Sequence, residues 1–182
     1  MAFLTIEEIN NLGFKSLGER VLISDKASFY NPEQITIGSN VRIDDFCILS
    51  GNITLGNNIH IAAYSALYGK FGIEMEDFTG LSPRCTIFSA SDDFSGHYLI
   101  SPMAPSELTN VTGGIVTLKQ FTQVGANCVI LPGVTLNEGV AIGAMSLVKE
   151  STEAWKIYAG SPARVIKDRA KNILKLYGSI SK

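Results

Sequence analysis

The sequence predicts an all-β solenoid, a parallel β-helix in which short strands alternate with corners. Three observations lead to this fold class. An aliphatic residue returns at every sixth position over most of the chain, and a second series of small or β-branched residues follows it four positions later. Between Val21 and Val148 the apolar residues fit the helical period of about 3.6 residues poorly. Three sides, each of one short strand and one corner, make a triangular turn of about eighteen residues with the same two positions of every side pointing inward.

The aliphatic series runs through nearly all of the predicted solenoid. Its last run is unbroken: Leu118, Val124, Ile130, Leu136, Ile142 and Val148. An earlier run has the same spacing: Ile37, Ile43, Leu49, Leu55, Ile61 and Leu67, and after a slip of two residues Met75, Leu81 and Ile87. A weaker opening turn uses Leu17, Ile23 and Phe29. The second series is Val41, Cys47, Ile53, Ile59, Ser65, Thr79, Cys85, Thr122, Cys128, Val134, Val140 and Ser146. When turns stack at strand spacing, each series forms ladders of side chains in the core.

The three cysteines belong to the second series. Cys47, Cys85 and Cys128 take the same inward position of one side, the last two on successive turns. An odd number of widely spaced cysteines fits reduced thiols better than a disulfide framework, and neither histidine of the chain shares their ladder. We expect the cysteines to be small core residues, without a role in metal binding or redox chemistry.

The periodic pattern divides the chain into three parts. Residues 1–16 are expected to form an N-terminal helix, residues 17–153 the β-helix, and residues 154–182 a C-terminal segment with a second helix. The period breaks between about residues 88 and 117, where the chain is longer than one side requires and contains several prolines and glycines. We expect this segment to form a loop that projects from the solenoid, because long loops in compact repeats often carry function.

Both predicted helices have terminal signals. Thr5 and Glu8 have the spacing of a capping box, in which each side chain bonds the backbone N–H of the other residue. Near the other end, Ser161 and Pro162 are a cap and a first-turn residue for a helix that is expected to end at Gly178.

Composition argues against several classes of function. A net charge of −2 and a pI near 5.7 give no overall attraction to nucleic acid or to an anionic membrane. No apolar run reaches the length of about eighteen residues that spans a bilayer, and the N-terminus lacks a secretory pattern, so we expect a cytoplasmic protein without membrane insertion. From Lys149 onward, eight basic residues accompany three acidic ones. This basic tail fits a small polyanionic ligand and fits a solvated helix face equally well.

Several short motifs resemble those of the hexapeptide-repeat acetyltransferases, in particular the galactoside and maltose acetyltransferases and the sugar acetyltransferases of O-antigen and capsule clusters. These motifs are Ile37-Gly38, Leu55-Gly56, Val124-Gly125-Ala126-Asn127, Leu131-Pro132-Gly133-Val134, Ile142-Gly143-Ala144 and Ala159-Gly160-Ser161-Pro162-Ala163. The resemblance covers about residues 17–170. It implies a left-handed coil, a homotrimer with active sites between neighbouring subunits, and acetyl-CoA as the acyl donor. Segments 91–96 and 155–160 resemble those of bacterial surface-sugar enzymes, which implies O- or N-acetylation of a glycan precursor, with nucleotide-linked amino sugars among the acceptors.

Acetyl transfer needs a group that takes the proton of the acceptor, and histidine suits this role near neutral pH. The resemblance places the catalytic histidine of galactoside-type enzymes at the position of Asp92, and the chain has only His60 and His97. We expect His60, at an outward position where relatives line the acceptor pocket, to accept the proton, with Asp92 or Asp93 orienting the sugar or the imidazole. His97 in the projecting loop is the second candidate. The alternative for each residue is a solvated surface group, and an amine acceptor would need only a weak base or none.

By the same resemblance, coenzyme A lies along the later turns of the coil. Its pantetheine arm would pass small residues and its phosphates would meet cations. The small residues are Gly125, Ala126, Gly143 and Ala144, and the cations are Lys149, Arg164 and Lys167. Tight packing of the corners and ordinary surface charge are the alternative explanations for the two sets.

Two other functions occur on the same kind of fold. A zinc enzyme of the γ-carbonic anhydrase type needs three histidine ligands at each subunit interface, which two distant histidines do not supply, so we expect no metal. A non-catalytic β-helix that serves as a scaffold or assembly subunit is the alternative that the sequence leaves open, although such a protein would not need small residues, a basic tail and a loop around one groove. The sequence leaves open which sugar is the acceptor and whether oxygen or nitrogen is acetylated.

Overall fold

The computed structural model describes residues 2–180 and confirms the predicted solenoid. Its first ten strands are β1 (Ser16–Leu17), β2 (Leu22–Ile23), β3 (Ser28–Tyr30), β4 (Ile35–Ile37), β5 (Val41–Ile43), β6 (Ile48–Leu55), β7 (Ile59–Ile61), β8 (Ala66–Met75), β9 (Gly80–Leu81) and β10 (Thr86–Phe88). The remaining strands are β11 (Ala90–Ser91), β12 (Thr112–Gly113), β13 (Val116–Leu118), β14 (Gln123–Val124), β15 (Val129–Ile130), β16 (Thr135–Leu136), β17 (Ala141–Ile142), β18 (Leu147–Val148), β19 (Lys156–Ala159) and β20 (Arg164–Asp168). The helices are α1 (Ile6–Asn11) and α2 (Asn172–Ile180), with short 3₁₀ turns at Pro32–Gln34 and Ser106–Leu108.

The strands build a triangular prism with three faces of parallel strands. Face 1 contains β2, β5, β7, β9, β14, β17 and β19. Face 2 contains β3, β10, β15, β18 and the first halves of β6 and β8; face 3 contains β1, β4, β13, β16 and the second halves of β6 and β8. We call the turn after face 1 corner 1, the turn after face 2 corner 2 and the turn after face 3 corner 3. The stacked strands of face 1 correspond to about seven turns of solenoid.

The core confirms the six-residue period. Every member of both predicted series from position 37 onward is buried, with 3% or less of its surface exposed. Parallel pairing holds the ladders in register, so that Ile87 lies beside Leu67 on one turn and Ile130 on the other. Burying one such side chain contributes about 1.5–3 kcal/mol, so these ladders are the main source of stability. The opening turn is weaker, because Leu17 and Phe29 are only half-buried.

The three cysteines lie in the core next to corner 1, as predicted. Cys47, Cys85 and Cys128 are fully buried and free, and each thiol donates a hydrogen bond of 3.1–3.3 Å to a backbone carbonyl. Burial raises the pKa of Cys47 to about 11. The hydrogen bond with Cys128, together with burial, raises the pKa of Cys85. Cys47 and Cys85 therefore stay protonated near neutral pH, which suits a packing role.

Corner 3 gives the physical reason for the recurring Ile-Gly and Leu-Gly motifs. A Cβ atom on Gly38 would collide with the backbone carbonyl group of Gly56 on the next turn, so only glycine allows the turns to stack there. Corner 1 tolerates large side chains instead. Phe46, Tyr64 and Arg84 stack at one position of this corner with φ of 60°, 62° and 62°. The left-handed backbone that a corner requires is thus adopted by residues that rarely take it.

The chain leaves the solenoid at corner 2 after β10 and returns at β13. β11 and β12 pair antiparallel and form the stem of the loop. The buried hydroxyl of Ser89 closes the base of the stem: it donates to the Tyr68 carbonyl at 3.0 Å and accepts from the Phe71 N–H at 2.9 Å. β13 then pairs with β8 in register, with Val116 beside Ile73. The loop therefore does not disturb the stacking of the turns.

The N-terminal capping box is confirmed. Glu8 N donates to Thr5 Oγ1 at 3.3 Å, and Thr5 N donates to the Glu8 carboxylate at 2.7 Å. The predicted start of the C-terminal helix is wrong: Arg164–Asp168 form β20 antiparallel to β19, and α2 begins only at Asn172. The last parallel strand of face 1 has an open edge, and β20 covers it. Gly178 lies inside α2 rather than at its end. Within residues 2–180, neither helix is long and apolar enough to cross a bilayer.

Candidate active site

Asp92 stands where the stem of the loop ends, directly after β11. Its neighbours Ala90 and Ser91, together with Asp92 itself, form a wall that is common to two clefts. The carboxylate is exposed, and no hydrogen-bond donor or cation pairs with it among residues 2–180. A carboxylate without an internal partner can interact with a group bound in either cleft.

The first cleft, which we call the apolar cleft, has a volume of about 670 Å³. Phe88 and Leu131 line it along corner 2, and Lys149 lies one turn beyond Leu131. Lys149 also lines a smaller pocket of about 170 Å³ together with Arg164. The apolar cleft therefore continues from Asp92 toward two cations near the C-terminal turns.

The second cleft, which we call the polar cleft, has a volume of about 460 Å³ and lies under the loop. Hydroxyl groups of Ser101, Ser106 and Thr109 line it, and Lys70 supplies a cation. Ser101 has a φ of 119°, a conformation that side chains rarely adopt and that costs about 1–3 kcal/mol. The polar cleft is thus richer in hydroxyl groups, whereas the apolar cleft contains Phe88 and Leu131, and the two share one wall.

Asp93 and His97 belong to a tight turn of the loop. Ser95 Oγ donates to the Asp93 carboxylate at 2.8 Å and lies 2.7 Å from Nδ1 of His97, and Gly96 N donates to Asp93 at 2.9 Å. The hydroxyl of Ser95 holds the pKa of Asp93 below its usual range. The structure therefore joins Asp93 to His97 through Ser95 and leaves Asp92 outside this network.

His60 lies in β7 on face 1, so one protomer does not bring it beside Asp92 at corner 2. Its Nε2 is 2.8 Å from the buried carboxylate of Asp44, which also accepts from Arg42 Nε at 2.7 Å. The neighbour of His60 on the next turn is Gly80, and the imidazole remains half-exposed. The ring is thus fixed by Asp44 while one side stays open to a ligand or to a second protomer.

The small residues predicted to contact coenzyme A lie at corner 1: Gly125, Ala126, Gly143 and Ala144. A Cβ atom on Gly125 would lie 2.6 Å from the backbone nitrogen of Ala144, so packing alone already requires glycine there. In one protomer, face 2 separates these residues from the apolar cleft. Of the three predicted cations, Lys149 and Arg164 share a pocket, whereas Lys167 lies in β20 outside the lining of that pocket.

Comparison with known proteins decides the family. The chain is 45% identical over 179 residues to the dTDP-4-amino-4,6-dideoxy-D-glucose acyltransferase of Escherichia coli, which covers 97% of this chain and 93% of the relative. The chain belongs to the hexapeptide-repeat sugar acyltransferases. AntD, an N-acyltransferase from Bacillus cereus solved with dTDP and coenzyme A, matches with a TM-score of 0.96 at 52% identity over 98% of this chain and 96% of that one. No family model matches the sequence.

More distant structures share the fold of this acyltransferase. A hexapeptide-repeat acetyltransferase from Vibrio cholerae matches with a TM-score of 0.58 at 16% identity and covers 91% of this chain. The left-handed β-helix that the sequence motifs implied is thereby confirmed.

Sequence reasoning missed two polar residues of this acyltransferase. Ser82 stands at corner 1, where Gln123 Nε2 donates to its hydroxyl at 3.5 Å. In the sequence, the only feature that could have drawn attention to Ser82 is the proline that follows it at a predicted corner. Lys70 lies within β8, in the segment where the aliphatic period slips by two residues. That slip marks a local departure from the coil, and such departures can carry functional side chains.

Proposed function

We propose that this acyltransferase moves the acetyl group of acetyl-CoA to the amino group of a nucleotide-linked amino sugar, in the class of dTDP-4-amino-4,6-dideoxyglucose. It would act as a cytoplasmic homotrimer in the biosynthesis of bacterial surface glycans. The observation that carries the proposal is the position of Asp92, an unpaired carboxylate in the wall between an apolar and a polar cleft. The relatives support it: the Escherichia coli protein is named for this sugar, and a variant of the Bacillus cereus enzyme is solved with the sugar and coenzyme A.

The apolar cleft suits the acyl donor. The side chains of Phe88 and Leu131 offer an apolar surface for the thioester and the pantetheine arm. Lys149 and Arg164 follow in the adjoining pocket, where charge-assisted hydrogen bonds to the phosphates of coenzyme A would hold the other end of the molecule. We assign the acyl donor to this cleft for these reasons.

Asp92 is assigned the role of proton acceptor. The amine nitrogen of the acceptor forms a bond with the thioester carbonyl carbon, and the bond from this carbon to sulfur breaks. Asp92 takes the proton that the nitrogen loses, and the departing thiolate takes a proton from solvent. A positively charged nitrogen in the tetrahedral adduct is acidic enough for a carboxylate to accept its proton.

The position of Ser82 supports a site shared between protomers. Solved variants of the Bacillus cereus enzyme replace a serine and an aspartate that are ten positions apart. In this sequence, Ser82 and Asp92 are the only serine and aspartate with that order and spacing. They lie at corner 1 and corner 2, on opposite edges of face 2. A trimer that sets corner 1 of one protomer against corner 2 of the next would bring Ser82, His60 and Gly125 opposite Asp92.

Mixed trimers test the shared site. Ser82→Ala and Asp92→Asn should each release little coenzyme A thiol from acetyl-CoA in the presence of dTDP-4-amino-4,6-dideoxyglucose. When the two variants are unfolded, mixed in equal amounts and refolded, about a quarter of the interfaces combine an intact Ser82 with an intact Asp92, so about a quarter of wild-type activity should return. Light scattering should give the mass of a trimer.

The outcomes separate the parts of the proposal. A mixture no more active than its parents would overturn the shared site. A wild-type enzyme that releases no thiol with nucleotide-linked amino sugars, although it binds coenzyme A, would overturn the proposed reaction.

A further inference from the structure

The polar cleft adjoins the cleft assigned to the acyl donor and shares Asp92 with it. If the donor occupies the apolar cleft, the acceptor has to reach the same carboxylate from the polar cleft, because Asp92 must contact the attacking amine. The volume of about 460 Å³ lies within the range of about 300–1,000 Å³ that small-molecule sites show. The lining chemistry of the polar cleft therefore indicates which part of the acceptor enters it.

Lys70 is the one cation among the residues that line the polar cleft. It follows Gly69 in β8, at the start of a short irregular stretch: pairing with β6 and β10 holds residues 66–69, and pairing with β6 and β13 holds residues 73–75. Its side chain is exposed, and within residues 2–180 no carboxylate pairs with the ammonium group. By contrast, Lys119 Nζ lies 2.7 Å from the Glu76 carboxylate. Lys70 is thus a cation anchored between two paired segments of β8, and its charge stays available to a ligand.

Apart from Asp92, the other polar groups of the cleft are neutral. Ser101, Ser106 and Thr109 contribute hydroxyls, which can donate to phosphate oxygens and exchange hydrogen bonds with sugar hydroxyls. Asp92 is the one acidic residue in the lining, and it stands at the shared wall. The cleft therefore presents an anion at one place, for an ammonium group, and a cation at another, for an anionic group.

We propose that Lys70 binds the diphosphate of the nucleotide-linked acceptor in the polar cleft, while the amino group of the same acceptor lies at Asp92. This inference rests on the proposed function and extends it, because it assigns a binding residue for the part of the acceptor that distinguishes a nucleotide-linked sugar from a free one. A lysine ammonium is a compact point charge with three donors, which suits a flexible diphosphate without fixed planar geometry. Lys70 makes the enzyme prefer the nucleotide-linked sugar to the free amino sugar.

Calorimetry with dTDP and thymidine tests this role without turnover. Wild-type enzyme should bind dTDP more tightly than thymidine. Lys70→Met keeps the length of the side chain and removes its charge, and it should weaken dTDP binding about tenfold to a hundredfold, since charge-assisted bonds to phosphate contribute that much. Thymidine and coenzyme A should bind the variant as they bind the wild type. Lys70→Arg should retain most of the dTDP affinity.

The matched control is Lys15→Met, which removes the same charge from an exposed residue between α1 and β1 and should change none of these affinities. In the acetyl-transfer assay, Lys70→Met should raise KM for the nucleotide-linked sugar, change kcat little, and leave turnover of the free amino sugar unchanged. A Lys70→Met enzyme that binds dTDP as tightly as the wild type would overturn the inference. Because dTDP binding needs no acetyl transfer, failure of the proposed reaction and failure of the Lys70 assignment give different results.

Discussion

Replacing Asp92 with asparagine is expected to remove catalysis while preserving the fold. The Asp92 carboxylate has no partner among residues 2–180, so its loss breaks no internal contact. Asparagine has nearly the same shape, and the free energy of unfolding should change by no more than about 0.5 kcal/mol. A positioned proton acceptor contributes about a hundredfold to ten-thousandfold in rate. We therefore expect kcat to fall by about a hundredfold or more, with the Kd for coenzyme A unchanged.

Thiol release at saturating acetyl-CoA and acceptor measures kcat, thermal unfolding checks the fold, and calorimetry gives the Kd. The matched control is Asp93→Asn, which makes the same substitution at the neighbouring residue. The Asp93 carboxylate accepts from Ser95 Oγ at 2.8 Å and from Gly96 N at 2.9 Å, so Asp93→Asn should loosen the loop and reduce kcat far less. A folded Asp92→Asn enzyme that turns over near the wild-type rate would refute the assignment of the proton acceptor.

Further variants and conditions probe the rest of the molecule. His60→Ala should raise KM for the acceptor about tenfold and leave coenzyme A binding unchanged, because the proposed trimer would turn the imidazole of one protomer toward the acceptor of the next. A loss of about a hundredfold in kcat would transfer proton acceptance to His60. Cys85→Ala should lower the free energy of unfolding by about 1 kcal/mol in a denaturant titration and spare turnover. An acceptor with a hydroxyl in place of the amino group should be acetylated at least about a hundredfold more slowly, as measured by mass spectrometry of the acetylated product. Ser95 lowers the pKa of Asp93, so this carboxylate stabilises the loop fully at pH values above the ordinary pKa of an aspartate, and the stabilisation is lost as pH falls through the lowered pKa. Hydrogen exchange should therefore show the loop protected at neutral pH and opened only in strong acid.

The fold could be predicted because the six-residue period of inward-pointing residues recurs in every turn of the solenoid. Each side of the prism needs one aliphatic and one small inward residue, so a single period specifies both strand and corner. The C-terminal helix start could not be predicted in the same way. Ser161 and Pro162 carry a strong local helix signal, but the open edge of β19 recruits the residues that follow as β20. A hairpin with the preceding strand overrides the helix preference there.

The candidate site was only partly predictable, because its geometry depends on contacts between distant turns. The break in the period placed Asp92 at the start of the loop. Which of the two carboxylates, Asp92 or Asp93, accepts a hydrogen bond depends on the position of Ser95, however. The contact between His60 and Asp44 joins residues that are sixteen positions apart in the sequence. The apolar cleft joins Phe88 to residues that follow the whole loop. No local pattern predicts contacts between such distant residues. For Lys70, the slip of the aliphatic period marks the segment but not the cleft that its side chain lines.

An aspartate at the position where the resemblance places the histidine of galactoside-type enzymes suits an amine acceptor, which needs only a weak base or none. A sugar hydroxyl must lose its proton as the oxygen attacks, and a carboxylate is a weaker base for that step than an imidazole. An amine attacks without such help, and the proton leaves afterwards from a positively charged nitrogen, which a carboxylate can accept. The carboxylate also attracts the ammonium form of the acceptor into the polar cleft, where a neutral imidazole would not. With Lys70 lining the same cleft, Asp92 and Lys70 would then recognise the two oppositely charged parts of one acceptor, its amine and its diphosphate.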